Sequence, residues 1–220
     1  MSVSASVKAI LFDFDGVIAD SETLHYQGFA AIADEALGIR LSRSRYDSEL
    51  IGYDDMGGFA VLCAEAGAAV TEVPHLAARK KHWVAQRLGQ VPLVDGARET
   101  LATATRLYPW AIVSGALRSE IEAILTSHAL PVPAVVVAAE DTPQSKPAAD
   151  PYLLGAHRMG LPPDRCLAIE DTAAGCSSAL AAGCRVVQIT AHTHPHPQAH
   201  RHVGSHADIP WQALDTWLAA

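Results

Sequence analysis

The sequence predicts an α/β fold: a doubly wound, Rossmann-like parallel sheet with an α-helical domain inserted near its start. Three observations lead there. Short apolar runs recur along the chain with stretches of helical periodicity between them. Several of those runs end in charged or hydroxyl residues. One long segment near the N-terminus breaks the alternation and offers only helix-like patterns.

Residues 7–14, VKAILFDF, form the first apolar run, as expected of a strand buried on both faces whose carboxyl end carries acidic groups. Further runs at 110–113, 134–138, 166–169 and 185–189 supply four more strands. Between about 18 and 91 no convincing strand occurs, and helices are expected near 22–37, 54–66 and 72–88. Gly52, Gly57, Gly58 and Gly67 read as turns or caps among them, and Pro92 and Gly96 mark the return to the sheet. The expected domains are therefore 1–18 with 92–220 as an α/β core, and 19–91 as a helical insertion. Residues 191–206 hold six histidines with Pro195, Pro197 and Gly204 among them. That composition predicts an exposed loop without regular structure and without a framework to coordinate metal, followed by a short helix near 211–218.

With 220 residues, 50% hydrophobic and 18% charged, the chain can bury a substantial core and shows no disordered composition. Its net charge of −8 argues against nucleic-acid or anionic-membrane partners, whose phosphates favour basic patches, and leaves a small anionic ligand open. The first residues lack a secretory signal pattern, and no run reaches the roughly 18 apolar residues of a membrane span, so the cytoplasm is the expected location. Cys63, Cys166, Cys176 and Cys184 lack zinc-site spacing and read as small buried apolar residues.

Four segments following predicted strands carry chemistry. Asp13-Phe14-Asp15-Gly16 sets two carboxylates outside a strand's carboxyl end, where parallel-sheet enzymes gather ligands. An EF-hand loop would need glutamate at its twelfth position, and counting from Asp13 that position is Leu24. Ser114-Gly115-Ala116 offers a hydroxyl and backbone amides to a phosphate oxygen, or simply caps the next helix. Lys146, ahead of Pro147, can neutralise a transferring phosphoryl group if it is held at a strand edge. Glu170-Asp171 ends a buried run, where adjacent carboxylates call for a hard cation such as Mg²⁺.

In this order and spacing, the motifs LFDFDGVIADSETLHY, VSGA, SKPAADPY and AIEDTAAG resemble the haloacid dehalogenase superfamily. The resemblance is to its branch with an α-helical cap inserted after the first strand, which includes β-phosphoglucomutase and sugar phosphatases. It implies Asp13 as the nucleophile, Asp15 as acid and base, and Ser114, Gly115 and Lys146 as the phosphate-binding set. It also implies Mg²⁺ held by Asp13, the Asp15 backbone carbonyl and Asp171, with Glu170 as a further or outer ligand. Dehalogenases replace the second aspartate, so the presence of Asp15 implies phosphoryl transfer. The insertion would be the cap that closes over the core, with His25 and Lys80 where relatives carry a hinge histidine and a cap lysine. His25 equally suits a structural role, and Arg79-Lys80-Lys81 equally reads as a solvated helix face. Where relatives often carry an arginine that grips a second phosphate, this chain has Met56. Simple hydrolysis is thus expected over mutase chemistry, unless Arg118 or Lys80 substitutes.

The resulting expectation is a Mg²⁺-dependent phosphatase acting on a small phosphorylated metabolite, a monomer or weak dimer without nucleic-acid or membrane partners. A β-phosphoglucomutase-like mutase is the alternative. A receiver-type signalling module is the reading from a different class, disfavoured by the insertion and by the placement of Asp13 on the first strand.

Overall fold

The computed structural model describes residues 6–50, 53, 55–191 and 193–219. Gly52 and Asp54, from the predicted turn region, and His192, from the histidine-rich stretch, lie outside these residues. In chain order the elements are β1 (Ala9–Phe12), α1 (Ser21–Leu37), α2 (Arg43–Glu49), α3 (Asp55–Ala66), α4 (Val73–Ala85), α5 (Ala97–Leu107), β2 (Trp110–Val113), α6 (Arg118–Ser127), β3 (Val135–Val137), α7 (Asp150–Arg158), β4 (Cys166–Glu170), α8 (Ala173–Ala182), β5 (Arg185–Ile189), β6 (Arg201–Val203) and α9 (Leu214–Ala219). Two compact units result, Met1–Asp20 with Pro92–Ala220, and Ser21–Val91.

The first unit is a six-stranded sheet in the order β3-β2-β1-β4-β5-β6. Every strand pair is parallel. β1 pairs with both β2 and β4, and all three strands are buried along their length. That is why they read as continuous apolar runs rather than alternating ones. Asp13, Ser114 and Asp171 each directly follow one of these strands. Cys166, Cys176 and Cys184 are free and buried in this unit, and Cys63 is free and buried in the other.

A sixth strand forms where the histidine-rich stretch suggested an irregular loop. β6 pairs with the outer edge of β5 through the register Val187↔Arg201, Gln188↔His202 and Ile189↔Val203. Only three residues long, it is fixed by its neighbour rather than by its own composition. His206 is likewise not loop-like: it is 2% exposed, and its Nε2 lies 2.6 Å from the Val17 carbonyl oxygen.

The chain stays with the α/β unit through Asp20. Ala19 bridges to Asp15 and to Leu93, and the Asp20 amide donates to the Pro92 carbonyl.

The helical unit holds a separate core in which Phe29 packs on Tyr46 and Phe59. Its short α2 was not anticipated, although Ser42 caps it by accepting from the Arg45 amide. Gly57 and Gly58 lie inside α3 rather than at a turn. A Cβ on Gly58 would strike the Phe29 ring, so the missing side chain lets α3 approach α1. Gly67, with φ of +65°, does follow a helix end, where a left-handed residue closes the last turn. Among the described residues no helix is long and apolar enough to cross a membrane.

Candidate active site

At the carboxyl edge of the sheet, the last residue of β4 and the turns after β1 and β4 bring three acidic side chains together. Asp13, Glu170 and Asp171 can each offer an oxygen within 4.8 Å of the others. Lys146, from the loop before α7, lies among them, with Nζ 2.7 Å from Asp13 Oδ1 and 2.6 Å from Glu170 Oε1. Asp13 Oδ1 also accepts from the Phe14 amide at 2.7 Å. Glu170 is fully buried and takes a further hydrogen bond from the Tyr152 hydroxyl at 2.6 Å. Asp171 Oδ1 is buried without a hydrogen-bond partner.

Two glycines make room for this cluster. A Cβ on Gly16, whose φ is +78°, would fall on the Asp171 carboxylate, and one on Gly175 would fall on that of Glu170. Thr172 accepts from the Gly175 amide and caps α8, fixing the chain directly beyond the two acids.

The electrostatics follow from crowding like charges in a buried place. Burial, followed by repulsion from Glu170, pushes the Asp13 carboxyl well above the usual carboxylate range, with Lys146 opposing. Burial and Glu170 push Asp171 up to about 7. Burial works against the Lys146 ammonium, yet Asp13 and Glu170 together hold it above its ordinary value. Burial and the Glu170 charge also raise the Tyr152 hydroxyl, which therefore stays a donor.

Fully ionised, three carboxylates facing one ammonium would carry two excess negative charges; the raised Asp13 and Asp171 values express that crowding, and a divalent cation would balance it. The orphaned Asp171 oxygen and the all-oxygen donor set suit Mg²⁺. The side chain of Asp15 is not part of the three-acid group. It lies beside Ser114, whose Oγ is 3.5 Å from Asp15 Oδ2 and accepts from the Ala116 amide at 2.9 Å. The helix after β2 begins at Arg118, so Ser114 and Gly115 occupy a loop, and a Cβ on Gly115 would meet open space.

The α/β unit thus brings Asp13, Asp15, Ser114, Lys146, Glu170 and Asp171 to one sheet edge. Arg118 is committed elsewhere, with Nη2 2.6 Å from Asp141 Oδ2 and 3.3 Å from the Val136 carbonyl. Sequence reasoning missed Tyr152, which stands six positions after Lys146 in the same motif and turns its hydroxyl onto Glu170. It also missed Gln188 and Thr193, which donate to the Asp171 carbonyl at 2.9 Å and 2.7 Å.

Within the helical unit, Lys80 is not on a solvated face: it is 1% exposed, because Asp55 pairs with it and His25 Nδ1 lies 2.8 Å away. Its Nζ also stands 4.2 Å from the centre of the Phe29 ring. A concavity of about 640 Å³ is lined by these groups together with Glu22, Tyr46 and Met56. Tyr46 donates to Glu22 there.

A parallel sheet thus gathers acids, a lysine and a serine at its carboxyl edge, groups able to bind a cation and a small anion. The family model for haloacid dehalogenase-like hydrolases matches residues 7–183. The chain belongs to that family and is a hydrolase. It is 32% identical over 194 residues to Protein CbbY of Rhodobacter capsulatus, covering 82% of this chain and 84% of that protein. It is 30% identical over 190 residues to Hexitol phosphatase A of Escherichia coli, covering 84% and 83%. The crystal structure of CbbY from Rhodobacter sphaeroides in complex with phosphate superposes with a TM-score of 0.75 at 25% identity, over 93% of this chain and 96% of that one.

Proposed function

We propose that the chain is a Mg²⁺-dependent phosphatase that releases inorganic phosphate from a small phosphorylated metabolite, a sugar or polyol monophosphate. The observation that carries this reading is the Asp13–Lys146–Glu170–Asp171 cluster with its orphaned Asp171 oxygen, set beside Asp15 and Ser114. Relatives bearing phosphatase names support it.

In the proposed reaction a carboxylate oxygen of Asp13 attacks phosphorus, and the bond from phosphorus to the leaving oxygen breaks. Asp15 supplies the proton which that oxygen takes up. Water then attacks the Asp13-phosphate and gives a proton to Asp15; phosphate departs and the Asp13 carboxylate is restored. Ser114 and Lys146 bind phosphoryl oxygens as charge develops on them. Asp13, Asp171 and the Asp15 carbonyl, with Glu170 as a further or outer ligand, would hold Mg²⁺, which would supply the positive charge that keeps Asp13 ionised and offsets the phosphoryl group.

The helical unit favours a monophosphate. Its concavity sets two carboxylates, Glu22 and Asp55, against one lysine, and that lysine is already paired. Met56 contributes no cation, and Arg118 of the α/β unit is bound to Asp141.

The test is to incubate the protein with hexitol and sugar monophosphates, including β-glucose 1-phosphate. Each is run with Mg²⁺ or EDTA and with or without β-glucose 1,6-bisphosphate, following free phosphate and glucose 6-phosphate. Phosphate release that needs Mg²⁺ and no bisphosphate is expected. Activator-dependent glucose 6-phosphate with little free phosphate would establish the mutase reading instead, and full activity in EDTA would remove the metal.

A further inference from the structure

The backbone carbonyl of Asp171 receives two side-chain hydrogen bonds from outside its own strand. Gln188 Nε2 donates at 2.9 Å and Thr193 Oγ1 at 2.7 Å. Gln188 is fully buried at the end of β5, level with Glu170 across the β4–β5 pair.

Its amide has one workable orientation. Nε2 faces two carbonyls, those of Asp171 and of His194 at 3.1 Å, while Oε1 accepts from the His196 amide at 2.6 Å. The reverse orientation would set oxygen against oxygen and nitrogen against a donor, so the contacts themselves assign it. Both amide hydrogens and the amide oxygen are therefore engaged, with one end on Asp171 and the other on segment 194–196.

From these contacts we infer that Gln188 and Thr193 are positioning residues for the divalent cation. They hold the peptide plane of Asp171 so that its unpartnered carboxylate oxygen is directed into the three-acid group. The inference rests on the proposed metal-dependent hydrolysis. The geometry closes from the other side as well, because Thr172, the next residue, caps α8 through the Gly175 amide at 3.0 Å. Asp171 is thus clamped between a helix cap and two hydrogen bonds to its carbonyl, which fix the backbone that carries the unpartnered Oδ1. Such outer contacts orient a ligand before the ion arrives, and losing one typically weakens metal affinity about 10–100-fold.

The probe is Mn²⁺, titrated by electron paramagnetic resonance and by calorimetry into the substrate-free protein, with the Mg²⁺ dependence of turnover measured alongside. Thr193→Val keeps the shape and removes the donor. It should weaken Mn²⁺ binding about tenfold or more and raise the Mg²⁺ needed for half-maximal turnover, while turnover at saturating Mg²⁺ and the metal-free melting temperature change little. Thr193→Ser should bind like the wild type. Gln188→Leu should weaken binding further, with some loss of metal-free stability because its partners are buried. Wild-type Mn²⁺ affinity in Thr193→Val, or an equal loss in Thr193→Ser, overturns the positioning role while leaving the phosphatase reading intact. A wild-type protein that binds no Mn²⁺ overturns both.

Discussion

Gly175→Ala adds one methyl group at the most confined point of the site. The new Cβ would coincide with the Glu170 carboxylate, which is fully buried and held by Lys146 at 2.6 Å and by Tyr152 at 2.6 Å. Backbone movement is restricted because Thr172 caps the same turn. The carboxylate must therefore shift, and it cannot clear the methyl while keeping both partners. Overpacking costs about 1–3 kcal/mol, and a lost hydrogen bond to a charged group about 1.5–3 kcal/mol. With partial relaxation the expected loss is about 3 kcal/mol, which at roughly 2–4 °C per kcal/mol lowers the melting temperature of the α/β unit by roughly 6–12 °C. Thermal and urea unfolding in EDTA measure this without metal binding. Shortening the obstructing side chain provides the internal control: Glu170→Asp with Gly175→Ala should lose less than the sum of the single changes, with a coupling of about 0.5–3 kcal/mol. A Gly175→Ala protein within about 0.5 kcal/mol of wild type, the range of an inconsequential substitution, would refute the placement of Glu170 against α8.

Asp13→Asn should lower turnover by several orders of magnitude while the fold survives, since the carboxylate sits in a buried place beside two others; near-wild-type phosphate release would sink the nucleophile assignment. Burial holds the His206 imidazole below its ordinary value, with its bond to the Val17 carbonyl and the charge of Glu99 acting the other way. The fold therefore keeps it neutral, and this contribution to stability is complete above the ordinary imidazole value of about 6.5 and lost as pH falls below it toward the depressed folded value. Urea unfolding across that window should show a weaker acid loss in His206→Gln than in the wild type, and identical slopes would remove His206 as the cause.

The sheet was legible because its central strands are buried on both faces and end in groups that water or an ion must satisfy. Residues 9–12 and 166–170 announce themselves in that way, and Asp13, Asp15, Glu170 and Asp171 could be located from the primary structure alone. What escaped was decided by partners distant in sequence. β6 is three residues among prolines and histidines, and it exists because β5 offers an unpaired edge. Lys80 looked solvated beside Arg79 and Lys81, but its partner Asp55 stands on another helix. Gln188 is one polar residue inside the apolar run 185–189, and its amide is matched by a carbonyl of β4's following turn and by segment 194–196. Gly58 looked like punctuation because a glycine's packing role is visible only once the Phe29 ring is in place.

The position of Lys146 links the two ligands the site is proposed to take. Its ammonium is shared between Asp13 and Glu170, so a phosphoryl group that engages it draws positive charge away from carboxylates crowded within 4.8 Å of one another. A phosphate arriving alone would face the repulsion of those acids with only a partly available lysine. Once a divalent cation balances the acids, Lys146 and Ser114 can turn to the phosphoryl oxygens without leaving buried charge uncompensated. On the proposed reading each ligand would favour the other, and linkage would require the coupling to be equal in both directions. The same reasoning explains why a lysine suits position 146 better than an arginine would. A compact ammonium on a flexible stem can move between carboxylate and phosphate, whereas a planar guanidinium would be fixed on one of them by its paired hydrogen bonds.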